Sequence, residues 1–365
     1  MNIRFKLLVA FFLSLNFSSL LAQKIDTSPL DAYWKMVEPL KHGDSLAVDD
    51  WNKFLNIEAN HIYVDNQGFD KNYLERLRKN IQFVYMPKYD SLLQSRLIAI
   101  KKDPASYWMT YKVYVYKEYE KELKNYEKQL SNPSYLDSIY KNAFNWLPRN
   151  LQKKDTTVNI QFLGIENDAI AGGGTVIATL WTAYNQDKLK EGILGGHEMH
   201  HVLRKGKAFE HVADNENGIM YFLNGVLNEG TADMIDKSYE LLHEKELPME
   251  FQFSDFELFQ ADSIVRQVDT ILLDMADSKG EKFKTEKEFR NLIRWTSGHC
   301  PGYYMADIIV RNGFKTNMLA SIQNPFAFIY LYNKAAARDS QKPPVFSKKS
   351  ITYIKGMEKK YRPKN

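Results

Sequence analysis

The chain has 365 residues, of which 44% are apolar and 13% aromatic, so it can bury one large core or two smaller ones and is not disordered. Its formal net charge is +4. Removing Arg4 and Lys6 with a leader peptide leaves 47 basic against 45 acidic side chains, which gives no electrostatic reason to bind nucleic acid. The single cysteine, Cys300, excludes a disulfide within the chain, so the fold must depend on its core and on any metal it holds.

The N-terminus has the layout of a secretory signal peptide. Arg4 and Lys6 precede an apolar run that ends in small and apolar residues at Ala22, before Gln23. We therefore predict that residues 1–22 are removed and that the mature chain is periplasmic or extracellular. An uncleaved anchor is the alternative, although the run is short and interrupted by polar residues. We expect no membrane span after cleavage, and the sequence does not indicate an oligomeric state.

Residues 23–154 are predicted to form a helical N-terminal region. Apolar positions recur at spacings of three and four from Ser28 to about Leu147. The clearest example is "YWMTYKVYVYKEYEKELKNYEKQL", which predicts one amphipathic helix over residues 107–130, with a tyrosine-rich face packed against other helices.

Residues 155–340 have a different character and are predicted to form a second domain. Two β-rich runs, residues 157–165 and 175–184, are predicted strands that flank the turn-prone "ENDAIAGGG". A helix is expected to begin near Asn185 or Asp187 and to carry "GGHEMHH". Further helices are predicted over 215–243, 254–276, 285–296 and 301–312. Residues 341–365 are interpreted as a solvated basic tail.

The central motif is HExxH, formed by His197, Glu198 and His201. Residues four apart on a helix share a face, so the two imidazoles can present nitrogens to one ion. Glu198 is offset by one position and faces beside the ion, which suits a general base for a water that zinc activates.

A third ligand is required, and a nearby third histidine is excluded because Arg204 and Lys207 occupy the positions it would need. Glu229 and Asp233 are four apart on a predicted helix and share a face. Here "NEGTAD" resembles the third-ligand helix of the gluzincin, or thermolysin-like, zinc metallopeptidases. The resemblance covers about residues 175–310.

The gluzincin resemblance implies that Glu229 is the third zinc ligand. It also implies that Asp233 accepts a hydrogen bond from a ligand histidine, His197 in our interpretation. "GTAD" also resembles part of the aspzincin motif, in which Asp233 would itself be the ligand. The gap of 28 positions from His201 to Glu229 predicts an inserted loop.

The remainder of an active site is predicted in "TSGHCPGYYMADII". Gluzincins take the donor for the developing oxyanion from a downstream His or Tyr, which implies His299 first and Tyr303 or Tyr304 second. The alternative is that His299 caps a helix and the tyrosines belong to the core. His200 is expected on the surface or beside the site, turned off the metal face.

The surroundings of the motif give two further expectations. A peptide substrate is expected to pair with the segment "AGGGTVIATLWTAY" by main-chain hydrogen bonds. Gly195 and Gly196 are expected to let a neighbouring element pack closely against this helix, with the Glu229 helix as the candidate.

These features together predict a predominantly helical α+β protein. Its zincin-like domain would contain a small sheet and an HExxH helix, preceded by the helical N-terminal region. The predicted function is an exported zinc metallopeptidase that hydrolyses peptides or proteins. Two alternatives are a non-catalytic zinc-binding or peptide-binding protein on the same scaffold, and a helical scaffold with a coincidental motif.

Overall fold

The computed structural model describes residues 23–206, 209, 211–253, 258–293 and 298–361. The predicted signal peptide, residues 1–22, lies outside the described residues. The N-terminal region is helical, as predicted. Its helices are α1 Ser28–Val37, α2 Val48–Leu55, α3 Glu58–Gln67, α4 Lys71–Tyr85, α5 Asp90–Ile100, α6 Trp108–Glu118, α7 Glu120–Leu130 and α8 Pro133–Phe144. The single helix expected over residues 107–130 is therefore two helices, interrupted at Tyr119.

The rest of the described chain combines a small sheet with further helices, so the predominantly helical α+β class is confirmed. The strands are β1 Ile25–Asp26, β2 Asn159–Leu163, β3 Ala169–Gly172 and β4 Thr175–Thr179. The helices are α9 Leu180–Asp187, α10 Ile193–Arg204, α11 Asp214–Asp233, α12 Lys237–Leu242, α13 Ala261–Asp277, α14 Glu286–Leu292, α15 His299–Arg311, α16 Lys315–Ala320, α17 Pro325–Ala336 and α18 Lys348–Tyr361.

The sheet has the order β1-β2-β4-β3, with β1, β2 and β4 parallel and β3 antiparallel to β4. The edge strand on the side of α10 is β3, which lies in the segment interpreted as a turn. The predicted strand over residues 175–184 is internal and ends at Thr179, where α9 begins. Periodicity alone did not separate β4 from α9, because the run is buried both where it forms the strand and where it forms the helix.

The HExxH helix begins later than expected. Asp187 ends α9, and α10 starts only at Ile193, after Gly192 with φ of +71°. The Gly192 backbone N–H donates to Asp187 Oδ1 at 2.8 Å, which holds the connection between the two helices. A left-handed residue of this kind favours glycine and interrupts a helix.

Two hydrophobic cores divide the described chain, and we call them the first core and the second core. The first core is formed by residues 30–203 together with Ile322, and includes α10 and the sheet. The second core is formed by residues 219–357 and includes α11, α13, α15 and α17. The two cores meet between α10 and α11. The buried side chains therefore divide close to residue 210, whereas composition had suggested a boundary at residue 154.

Two glycines allow α10 to approach a neighbouring helix. A Cβ at Gly195 would lie 2.7 Å from Ile139 Cδ1, and a Cβ at Gly196 would lie 2.5 Å from Asn142 Cβ. The neighbour is thus α8 and not the Glu229 helix, so that expectation is wrong. The glycines seat the HExxH helix on the first core.

The C-terminal segment is a packed helix and not a solvated tail over its described length. Ser350, Ile354 and Met357 are buried on one side of α18, which lies against α13. Lysines dominate the composition here, but apolar residues at helical spacing determine the structure. Among the described helices, none combines the length and the apolar character that crossing a bilayer requires.

Candidate metal centre

Helix α10 brings two of the predicted ligands together. His197 and His201 lie one turn apart, and their Nε2 atoms are 3.1 Å from one another. His197 is 4% exposed, so its imidazole is already removed from water in the folded chain. The Nε2 atoms face a common point, as four-residue spacing predicts.

Helix α11 supplies the third predicted ligand from the second core. Glu229 Oε2 is 3.2 Å from His201 Nε2 and 3.7 Å from His197 Nε2. The other carboxylate oxygen, Oε1, accepts a hydrogen bond of 2.8 Å from Asn228 Nδ2. One oxygen of Glu229 is therefore held by its neighbour while the other meets the histidines.

These three atoms fit a tetrahedral zinc ion. Ligand atoms placed 2.0–2.1 Å from such an ion are separated by about 3.3–3.4 Å from each other. The separations of 3.1, 3.2 and 3.7 Å bracket that value. Two imidazole nitrogens and one carboxylate oxygen are also a donor set that zinc accepts. His197, His201 and Glu229 are thus the residues that could hold the ion.

The hydrogen-bond partner of His197 differs from the prediction. Its Nδ1 donates to Asp236 Oδ1 at 3.0 Å, whereas Asp233 Oδ1 is 3.7 Å away. Asp236 is reachable because the helix predicted over residues 215–243 breaks after Asp233 and resumes at Lys237. Burial opposes a charged imidazole, but Asp236 outweighs it and raises the pKa of His197 well above its ordinary value. Asp236 therefore fixes the orientation of this ligand.

Asp233 is paired with His299 instead. His299 Nδ1 donates to Asp233 Oδ1 at 2.8 Å, and His299 Nε2 lies 3.5 Å from Glu229 Oε2. Burial lowers the pKa of His299, but Asp233 and Glu229 outweigh burial and raise it to about 10. His299 is the first residue of α15, so it begins a helix and faces the cluster at the same time. One nitrogen of the His299 imidazole also lies close enough to the ligand atoms of His197 and Glu229 for these three residues to hold one ion.

Glu198 lies beside the three ligand atoms and faces the same open space. Its side chain is buried, with 7% of the residue exposed, and burial raises the pKa of its carboxyl group. A carboxyl group with a raised pKa is suited to accept and return a proton near neutral pH. The structure thus places Glu198 where the motif predicts it.

The cluster opens into a cleft of about 960 Å³. The edge strand β3 forms one wall, through residues 169–172, and Phe251–Phe253 contribute another part of the lining. Polar groups continue beyond Asp236, because Lys237 Nζ lies 3.1 Å from Asp236 Oδ2 and 3.0 Å from Glu240 Oε2. The cleft thus runs from β3 past the histidines and Glu229 to Lys237 and Glu240.

Two of the predicted donors do not face this cleft. Tyr303 is 6% exposed and packs edge-on against Phe253, and the Tyr304 hydroxyl donates to Asp262. Neither is among the described residues that line the cleft. The structure therefore brings His299 to the cluster and leaves both tyrosines in the second core.

The neighbouring His200 is buried, and its Nε2 lies 3.3 Å from the Trp146 carbonyl oxygen. Burial lowers its pKa well below the ordinary value, so the imidazole is neutral. The expectation of a surface position is wrong, while its exclusion from the metal face agrees with helix geometry. Cys300, which follows His299, is buried in the second core.

Comparison with known proteins agrees with this chemistry. The chain matches no curated protein and no solved structure. A family model described as "Putative zinc dependent peptidase (DUF5700)" matches residues 51–341, which span most of both cores and the whole cluster. The chain therefore belongs to this family, DUF5700.

Proposed function

We propose that the protein is an exported zinc metallopeptidase of gluzincin type. His197, His201 and Glu229 would hold the ion, and Glu198 would act as the general base. The observation that carries the proposal is the convergence of two Nε2 atoms and one carboxylate oxygen within 3.1–3.7 Å. Export is supported by the layout of residues 1–22 alone.

Bound zinc would supply a Lewis acid that polarises the scissile carbonyl and makes a water more acidic. Glu198 takes the proton from the attacking water and delivers it to the amine that leaves. Its burial suits the first step, because a carboxylate whose pKa is raised is a stronger base than a solvated one and takes the proton from water more readily.

His299 would donate its Nε2 hydrogen to the oxyanion that develops on the carbonyl. Asp233 holds the ring by accepting from Nδ1 at 2.8 Å, so Nε2 is directed toward the cluster. Asp236 does the equivalent for His197, whose Nε2 is thereby kept available as a ligand. Two carboxylates three residues apart would thus serve two different histidines.

The substrate would be a peptide that pairs with the edge strand β3. Residues of β3 line the cleft, and a free strand edge offers main-chain donors and acceptors without reading side chains. Such pairing places a peptide bond over the ligand atoms.

The metal is tested by elemental analysis of the purified mature protein. We expect about one zinc per chain, lost in Glu229→Ala and kept in the matched control Glu281→Ala, whose side chain is exposed and distant in sequence. A full zinc content in Glu229→Ala would contradict the ligand assignment.

The mechanism is tested by hydrolysis of a peptide library. Glu198→Gln is expected to keep zinc and to lose about a thousandfold in turnover, within the range for a general base. His299→Ala should also keep zinc while losing turnover, since we assign it to the oxyanion. Loss of zinc from His299→Ala would make it a fourth ligand, and undiminished activity of Glu198→Gln would exclude the mechanism.

A further inference from the structure

Arg204 is the last residue of α10 and faces the same cleft as the ligand atoms. It follows His197 by seven residues and His201 by three, which are spacings that share one helix face. Arg204 lines the cleft although only 8% of the residue is exposed. Its guanidinium is therefore a buried cation beside the metal ligands.

The hydrogen bonds of Arg204 go to neutral groups. Nη1 donates to the Ile322 carbonyl at 3.1 Å, and Nη2 donates to Asn228 Oδ1 at 2.7 Å. Nε is buried and has no hydrogen-bond partner. Within the described ranges, no carboxylate lies within ion-pair distance of this guanidinium. Two contacts are thus structural, and the charge itself is not paired.

A buried charge is costly unless an opposite charge or a ligand compensates it. Burial lowers the pKa of Arg204, and Glu229 is the acid that opposes this effect. When Glu229 serves as a metal ligand, its negative charge is directed to the ion and compensates Arg204 less. Both hydrogen-bond acceptors are neutral, so these two contacts do not account for a cation at this position.

Among the described residues, a glycine lies directly against the guanidinium. A Cβ at Gly206 would lie 2.7 Å from Arg204 Nη2, and the glycine at this position has none. Gly206 and Asn228 line the cleft together with Arg204. The space next to the guanidinium is therefore part of the substrate cleft.

We propose that Arg204 binds a carboxylate of the peptide substrate. This inference rests on the proposed peptidase function and specifies its substrate class. A guanidinium offers a planar set of charged donors that matches a carboxylate, which neither a neutral side chain nor the ammonium group of lysine provides. In a peptide the carboxylate is either the C-terminal group or the side chain of Asp or Glu, and both have the same chemistry.

The test uses peptide libraries in matched pairs with the zinc-loaded wild-type protein. One pair has a free C-terminus or a C-terminal amide, and the other has Glu or Gln at each position near the cleaved bond. We expect one pair to differ in kcat/KM by about tenfold to a hundredfold, the ratio for one charge-assisted hydrogen bond. The pair that differs identifies the source of the carboxylate.

Variants show whether Arg204 causes the preference. Arg204→Gln is expected to bring the ratio within a pair close to one, and Arg204→Lys to retain part of it. The matched control Arg290→Gln removes an exposed arginine that pairs with Glu286, and should keep the full ratio. If Arg204→Gln melts at the assay temperature, the wild-type ratios and Arg204→Lys decide the question.

The outcomes separate the two proposals. Cleavage with equal kcat/KM for both members of each pair, or a preference that survives in Arg204→Gln, would overturn the role of Arg204 alone. No cleavage of any library by the zinc-loaded protein would overturn the proposed function and, with it, the substrate class.

Discussion

The two cores contribute different parts of the candidate metal centre. The first core, which contains the sheet, supplies His197, Glu198 and His201 on α10. The second core, built from helices, supplies Glu229 on α11 and His299 on α15. The ligand set is complete only where α10 and α11 meet. A metal held there would join two separately packed units, so zinc binding and the docking of the cores should stabilise each other.

In each core, a glycine lets the helix that carries a proposed ligand pack closely against a neighbouring helix. The atoms that lie against the glycine differ between the two cores. On the first core, a Cβ at Gly195 would lie 2.7 Å from Cδ1 at the end of the Ile139 side chain. On the second core, a Cβ at Gly230 would lie 2.3 Å from the Gly302 carbonyl oxygen, so α11 and α15 meet backbone to backbone. A side chain can move aside and a helix backbone cannot without shifting the helix, so the second core should tolerate less change.

The largest effect is expected from Gly230→Val. The added atoms clash with the backbone of α15, and we expect a loss of about 3 kcal/mol in the free energy of unfolding. Because Gly230 follows Glu229, the shift should also lower zinc affinity. Urea unfolding and zinc titration measure both.

The matched variant is Gly195→Val on the first core. It should cost less, about 1–2 kcal/mol, because the end of the Ile139 side chain can rotate away while α10 gains from the loss of a helical glycine. Equal losses in the free energy of unfolding would show that the two helix contacts tolerate an added side chain equally, contrary to what the distances indicate.

Asp236 and Asp233 allow a second comparison of the two cores. The Asp236 carboxylate contacts a histidine of the other core, whereas the Asp233 carboxylate contacts a histidine of its own core. Asp236 binds His197 of the first core, and Asp233 binds His299 of the second. We expect Asp236→Asn to weaken zinc binding by about tenfold to a hundredfold. We expect Asp233→Asn to spare zinc binding and to lower turnover.

Competition with a chromophoric chelator measures the zinc affinity, and steady-state kinetics measure turnover. Equal zinc affinities in the two variants would contradict the separate roles of these carboxylates.

The smallest effect concerns Asp187, which holds the start of α10 on the first core. Burial raises the pKa of Asp187 to about 6 from its ordinary 3.8, despite hydrogen bonds from Tyr126 and Gly192. The folded chain therefore binds this proton more tightly than the unfolded chain. Proton binding by Asp187 stabilises the fold most below about pH 4, and this stabilisation is lost as the pH rises to about 6.

In Asp187→Asn this part of the pH dependence should disappear, a change of about 1–2 kcal/mol between pH 4 and pH 7. Urea unfolding at the two pH values measures it, with the exposed Asp44→Asn as the control. If wild type and Asp187→Asn showed the same pH dependence of stability, Asp187 would not be its cause.

Several features of the site were predictable because they depend on neighbours along the chain. Four-residue spacing on a helix places His197 beside His201, and Glu229 beside Asp233, wherever the helix lies. The predominantly helical class with a small sheet follows from the same periodicities. The prediction that His299 belongs with the cluster came from the gluzincin resemblance and not from spacing.

Other features depend on how distant segments pack, and the sequence analysis missed them. Asp236 partners His197 only because the chain turns between α11 and α12. Strand β3 is visible as a strand only through its pairing with β4. In the sequence, Arg204 was informative only because it occupies a position needed for a nearby third histidine ligand. Only the structure shows its unpaired charge inside the cleft.

The sequence by itself determined which side chains share a helix face, because that geometry is set by residues three and four apart. The tertiary structure decided which faces meet, which carboxylate serves which histidine, and where the cores divide. Those outcomes depend on packing between segments that lie more than a hundred residues apart in several places, where local periodicity carries no information.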